Sequence, residues 1–230
     1  MFGNLDFDVI RRSLGYLFYQ GMSFTLTLTA LTTLAGGAIG TLLAVIRLSP
    51  LPFLPKVVAG YVNLTRALPL VLLIFWFYFL VPYVGQWLTG AERPIQVGAF
   101  ASSLITFTMV EAAYFCEIMR AGIQSIPGSQ VNAARAVGLS YLQAMRYVVL
   151  PQAFRNMVPL LLTQTIVLFQ DTSLVYVVSI TDFLGAASKI AQRDGRLVEM
   201  YLFAAIVYFI MSFAASMLVR HLQKRNEYVR

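Results

Sequence analysis

Apolar runs longer than the roughly 20 residues a helix needs to cross a bilayer recur along this sequence. Residues 21–46 hold no charge at all. Hydrophobic residues make up 59% of the chain and charged ones 12%, against about 25% charged in soluble domains. The pattern predicts an all-α integral membrane protein with about five transmembrane helices, at residues 21–46, 57–81, 96–121, 148–169 and 200–219. These would form one domain over 1–230. Residues 1–19 read as an amphipathic lead-in on the membrane surface. Asp6 and Asp8 stand where a cleavable leader would carry basic residues.

Within these spans the polar residues carry the information. The first has Thr25, Thr27, Thr29, Thr32 and Thr33, which can bond to a carbonyl one turn back or across to another helix. Gly36 and Gly40 form a GxxxG, read as intramolecular packing. Arg66 stands early in the second span, where Pro69 should bend the helix and residues 82–94 should form the next loop. The third span carries Glu111 and Glu117. Glu117 lies three residues before Arg120, so a same-face ion pair accounts for it. Glu111 is deeper and has no local partner in sequence. It either marks a pathway or is a structural, hydrogen-bonded carboxyl. The fourth span adds Thr163, Gln164, Thr165 and Gln170, then Asp171, Thr172 and Ser173, read as a helix cap that fixes a bend.

Between the third and fourth spans lies a long polar interruption. Pro127-Gly128 suggests a turn, Ser129 a helix cap, and Gly138 a left-handed stop. The helix between, residues 129–137, is thin because of Ala133, Ala134 and Ala136. Ser140 and Gln143 then form a capping box for a further helix. A thin helix lets a partner approach its backbone, and the absence of a Trp/Phe/Leu face argues against simple lipid binding. With the N-terminus outside, eleven of the seventeen Lys and Arg fall on the inside segments. The positive-inside rule puts this segment and the C-terminus in the cytoplasm.

The chain has no phosphate-cradling GxxxxGK[ST], one Cys, one His and no evident nucleophile–base pair. Cys116 and His221 read as a packing residue and a solvated tail residue. Neither an enzyme nor a metal protein is expected. The basic charge is placed for membrane topology and does not call for nucleic acid.

Asn-Ala-Ala at 132–134, Gly138, and Val-Val-Leu-Pro at 148–151 resemble the EAA loop of permease subunits of bacterial ABC importers, with matching spacing. Arg-Ala-Leu-Pro-Leu from Arg66, Glu-Ile-Met-Arg-Ala-Gly from Glu117, Leu-Pro-Gln-Ala-Phe-Arg from Leu150 and Asp-Thr-Ser-Leu from Asp171 resemble the polar amino acid branch. Glu-Ala-Ala-Tyr from Glu111 and residues 161–176 look like its glutamate/aspartate type. The resemblance implies an inner-membrane subunit with a coupling helix at about 129–137. It implies ATPase coupling through Ser129, Asn132, Ala133, Ala134, Arg135 and Gly138. Asn132 departs from the motif's glutamate but is itself a good capping residue. The implied partners are two ATP-binding cassette subunits holding ATP and Mg, a second and homologous permease, a periplasmic amino acid-binding protein, the amino acid and the bilayer. No cofactor belongs to this chain. Glutamate or aspartate is the implied substrate, with glutamine, arginine or histidine as alternatives and a secondary transporter as a remoter one. Arg66, Glu111, Gln164, Gln170, Asp171, Thr172 and Ser173 are the candidates for the substrate path.

Overall fold

A computed structural model describes residues 5–227, with side chains through residue 223. It is mainly helical, and no strand occurs among the described residues. Five helical stretches are long and apolar enough to cross a membrane: Asp8–Arg47, Leu70–Thr89, Ala99–Gln124, Tyr141–Val178 and Leu197–Gln223. The number agrees with the sequence reading, and each stretch overlaps one of the expected spans.

The first stretch joins helix α1 (Asp8–Tyr16) to α2 (Ser23–Arg47) through a wider π-helical turn, Leu17–Met22. At 1.5 Å per residue a rod of this length is about twice the thickness of a hydrocarbon core. The lead-in is therefore the same helix as the first span. It buries Val9 and Leu17 in a cluster with Phe183, Ile190 and Met200. Residues 1–4 of the predicted lead-in lie outside the described residues.

The second span departs most from expectation. Residues 57–81 are two helices, α3 (Leu54–Ala67) and α4 (Leu70–Thr89). Leu68 is extended at φ −97°, ψ 144°, so the helix breaks where a bend was expected. The ring of a proline pushes the preceding residue out of the α region, and Pro69 does that here. Pro82 instead lies inside α4, which runs on to Gly90 at φ +66°. The predicted loop at 82–94 is therefore mostly helix.

Helix α5 (Ala99–Gln124) is the hub, with 56% of its most apolar window buried against 11–28% in the other four. It runs parallel to α2 in tight register. A methyl group placed on Gly36 would lie 2.9 Å from Glu111 Cβ, and one on Gly40 would lie 2.7 Å from Phe115 Cβ and 3.0 Å from the Ala112 carbonyl oxygen. The GxxxG is thus the seam between two helices of one chain, where small residues let backbones meet. The threonines of α2 divide as the chemistry allows. Thr29 and Thr41 donate to carbonyls one turn back at 2.8 and 2.6 Å, while Thr25 accepts from the Phe183 amide at 3.1 Å.

Three short pieces follow α5: α6 (Gly128–Ala136), α7 (Tyr141–Ala144) and a π-helical turn, Met145–Val149. The turn leads into α8 (Leu150–Asp171). Asp171, Thr172 and Ser173 do not cap an α-helix. The chain continues directly as a 3-10 helix, Thr172–Val178, and the Thr172 hydroxyl donates to its own backbone at Phe169 O, 2.7 Å away. The cap is Asp182, which opens α9 (Phe183–Asp194) by accepting from Gly185 N at 2.8 Å and Leu184 N at 3.0 Å. The sequence reading has no counterpart to this amphipathic helix between the fourth and fifth expected spans. Helix α10 (Leu197–Glu227) is the last described element and extends beyond the predicted 200–219 at both ends.

Candidate coupling segment and substrate path

The candidate coupling segment is built by backbone chemistry. Pro127 is extended and begins α6, with Gln130 N donating to Pro127 O at 3.0 Å. Ser129 therefore sits inside the first turn and makes no capping bond. Asn132 is mid-helix, so it caps nothing. The stop is as read: Gly138 has φ +89°, its N–H reaches Arg135 O at 3.0 Å, and Leu139 N reaches Ala134 O at 3.1 Å. These two bonds form a Schellman motif, which satisfies carbonyls that a helix end leaves free. Ser140 and Gln143 complete a reciprocal capping box at 3.3 and 2.9 Å.

The helix has two faces. Ala134 is buried against the chain itself, whereas Ser129, Asn132, Ala133, Arg135 and Gly138 are exposed. Val137, Tyr141 and Leu142 beside the stop are 64–78% exposed. The result is a small-residue helix flanked by bare apolar side chains, which suits insertion into a groove. Behind it, Pro151 has no N–H to offer Tyr147 O, and the residues just before it wind as a π turn. At the other end, Asn156 Nδ2 donates to Ser125 Oγ at 3.2 Å, tying α8 to the start of the segment.

The candidate path residues fall into separate places. Glu111 is buried at 2% exposure, and its Oε1 accepts from Gln164 Nε2 at 3.1 Å. Its Oε2 has no partner among the described residues, nor do the hydroxyls of Thr32, Thr33 and Thr108. Gln170 and Ser173 lie elsewhere, in an open cavity of about 340 Å³ between α8 and α10. Gln170 Nε2 donates there to Ser212 Oγ at 3.0 Å. Tyr208, Ser212 and Ser216 complete the polar wall, and Phe209 and Phe213 the apolar one. Asp171 is half-buried and Thr172 fully buried, and neither lines this cavity. The α10 residues went unnoticed in the sequence, although Tyr208, Ser212 and Ser216 recur every four residues on one face of a span.

Arg66 is in neither place. It lies 4.0 Å from Glu117, whose carboxylate also binds Arg47 and Arg120. The expected Glu117–Arg120 pair is present, and Arg47 of α2 joins it from 70 residues away in sequence. Cys116 is fully buried, in keeping with a packing role. No group of His, Cys, Asp and Glu suited to a metal occurs among the described residues.

Five helical stretches long and apolar enough to cross a membrane, with a short helix between the third and fourth, describe a multi-pass membrane protein. Residues 36–228 match the family of binding-protein-dependent transport system inner membrane components, and the chain belongs to that family. It is 49% identical over 221 residues to the glutamate/aspartate import permease protein GltK of Escherichia coli O6:H1 strain CFT073, covering 96% of this chain and 98% of the relative. The glutamate/aspartate import permease protein GltJ of the same strain is 30% identical over 230 residues, with 98% and 90% covered. Among solved structures, an amino acid ABC transporter crystallised with histidines superposes with a TM-score of 0.86 at 30% identity, covering 96% and 99% of the two chains. The protein is thus a multi-pass inner-membrane component of an ABC importer.

Proposed function

We propose that this chain is a permease subunit of an ATP-driven, binding-protein-dependent importer of glutamate and aspartate. The observation that carries the mechanism is the exposed α6 ending at Gly138, placed between the two spans that frame the interior. A pair of ATP-binding cassette subunits would grip one such helix each and supply all ATP and Mg chemistry. Their closure would move α6, and the π turn and α8 would follow. ATP binding can drive this only through its different affinity for the open and closed arrangements. The N-terminus would lie outside and the C-terminus in the cytoplasm, as the charge distribution favours.

A second permease of different sequence would complete the path. Two permeases of one E. coli strain carry the same importer name, and this chain resembles one at 49% and the other at 30% identity. That supports a GltK-like place in a GltJ–GltK-like pair. In the cavity between α8 and α10, Gln170, Ser173, Tyr208, Ser212 and Ser216 offer neutral donors to an anionic substrate beside the apolar wall of Phe209 and Phe213. Glu111 would repel one and serves instead to hold α5 to α8.

Gly138→Asp tests the coupling role, because it removes the glycine from a left-handed position and sets a carboxylate beside the docking face. The variant should insert normally and lose uptake. Normal uptake by this variant would remove the coupling helix from the account.

A further inference from the structure

Glu117 is surrounded by more positive charge than it can neutralise. Arg47 from the end of α2, Arg66 from the end of α3 and Arg120 from α5 all converge on its single carboxylate. The side chains of Arg47 and Arg120 are 15% and 26% exposed, while Arg66, at 39%, is open to the membrane boundary. Clustered charge is costly where water is thinned, unless an anion completes it.

The described cytoplasmic segments supply none beyond Glu117 itself. Ahead of the C-terminal tail, the segments placed on the cytoplasmic side carry Arg47, Lys56, Arg66, Arg120, Arg135, Arg146 and Arg155, with Glu117 as their one acid. Arg66 is the least engaged of the three. Its guanidinium lies 5.6 Å from the centre of the Tyr114 ring and 4.0 Å from Glu117, and it makes no hydrogen bond among the described residues. A guanidinium has five N–H donors in a fork that matches a phosphate. The surroundings are those of a lipid. Leu48 follows Arg47 and is exposed, and Leu64, two residues before Arg66 on α3, is 63% exposed. Cationic donors edged by bare aliphatic side chains at a membrane boundary suit a ligand with an anionic head and hydrocarbon tails.

We propose that Arg47, Arg66 and Arg120 around Glu117 form a headgroup site for an anionic phospholipid, clasped between α2, α3 and α5. Its position in the cytoplasmic leaflet rests on the topology proposed above. Binding would hold the end of α3 against α5, beside the Leu68–Pro69 break.

The assembled importer would be placed in phosphatidylcholine nanodiscs with increasing phosphatidylglycerol, and bound lipid measured by native mass spectrometry. Wild type should retain phosphatidylglycerol in preference to phosphatidylcholine. Arg66→Gln should weaken that retention about fivefold, while Lys56→Gln, which removes a charge away from the cluster, should leave it unchanged. Glu117→Gln removes the competing carboxylate and should tighten it. Arg66 makes no hydrogen bond among the described residues, so its variant should fold even if Arg47→Gln does not. Equal retention by wild type, Arg66→Gln and Lys56→Gln would overturn the site. Displacement by inorganic phosphate would make it a free-anion site, and displacement by glutamate would make it part of the substrate path. Either result overturns the lipid assignment. The retention measurement needs no transport, so it stands or falls separately from the substrate reading.

Discussion

Replacing Gly40 by alanine adds one methyl group at the tightest point of the α2–α5 seam. That methyl would lie 2.7 Å from Phe115 Cβ and 3.0 Å from both Ala112 O and Cys116 N. Carbon atoms rest at about 3.5–4.0 Å, so the helices must separate by roughly 1 Å. Two of the three neighbours are backbone atoms and cannot rotate away. Gly37→Ala is the natural control. It sits on the same helix, and its methyl would meet only the Phe115 ring, 3.9 Å away. Both changes gain the same helix propensity, so their difference isolates the overpacking, at about 1–3 kcal/mol. Gly40→Ala should fall at the upper end of that range. Unfolding by sodium dodecyl sulfate in mixed micelles would measure it, with helicity as the signal. Equal midpoints for Gly40→Ala and Gly37→Ala would refute the register of α2 on α5, and with it the position of Glu111 opposite Gly36.

Other outcomes follow from the same geometry. Burial pushes the Asp182 carboxyl up to about 6 from its ordinary 3.8, against the opposing hydrogen bonds of Gly185, Leu184 and Tyr208. Its proton is then held more tightly in the folded protein than in the unfolded chain. That stabilisation is complete below about pH 4 and is lost as pH rises through about 6, for a total of about 3 kcal/mol. Asp182→Asn keeps a capping side chain and should flatten this slope, as read by hydrogen exchange of α9 between pH 4 and 7. Ser212→Leu removes the partner of Gln170 and fills the cavity between α8 and α10, so it should raise the KM for uptake without reducing assembly of the complex. An unchanged KM would take that cavity off the path. Gln164→Leu strips Glu111 of its donor and should cost about 1–3 kcal/mol of stability, the usual cost of a buried unpaired polar group, in the same detergent titration.

The sequence was most legible where local chemistry decides the structure. Gly138 and the Ser140–Gln143 box are signals of one or two helical turns, and each appears in the structure. The GxxxG was read correctly as an internal contact because parallel packing of two spans needs small residues at that spacing. Local rules misled where two of them competed. Pro69 and Pro82 both lie in one apolar run, yet Pro69 breaks the helix and Pro82 is carried inside it. The flanking residues do not separate these cases, because the neighbours that stabilise each segment come from α5 and from the Ile95 amide, which bonds Pro82 O at 3.1 Å. Long-range partners were out of reach altogether. Nothing near Glu117 in sequence announces Arg47, and nothing near Gln170 announces Ser212. The candidate path residues therefore looked like one group in sequence and occupy at least three places in space. Asp182 was overlooked because its cap opens a helix too short and too polar to register as a span.

The central claim is that an acidic amino acid, delivered by a binding protein, drives ATP hydrolysis through this chain. The direct test is ATPase activity of the complex in lipid, containing this permease, its partner permease, the ATPase and the binding protein. The binding protein would be loaded in turn with glutamate, aspartate, glutamine, arginine and histidine. Stimulation by glutamate and aspartate, abolished by Gly138→Asp, is the predicted result. Stimulation by glutamine, arginine or histidine instead would contradict the substrate, and no stimulation by any of them in a fully assembled complex would contradict the account as a whole.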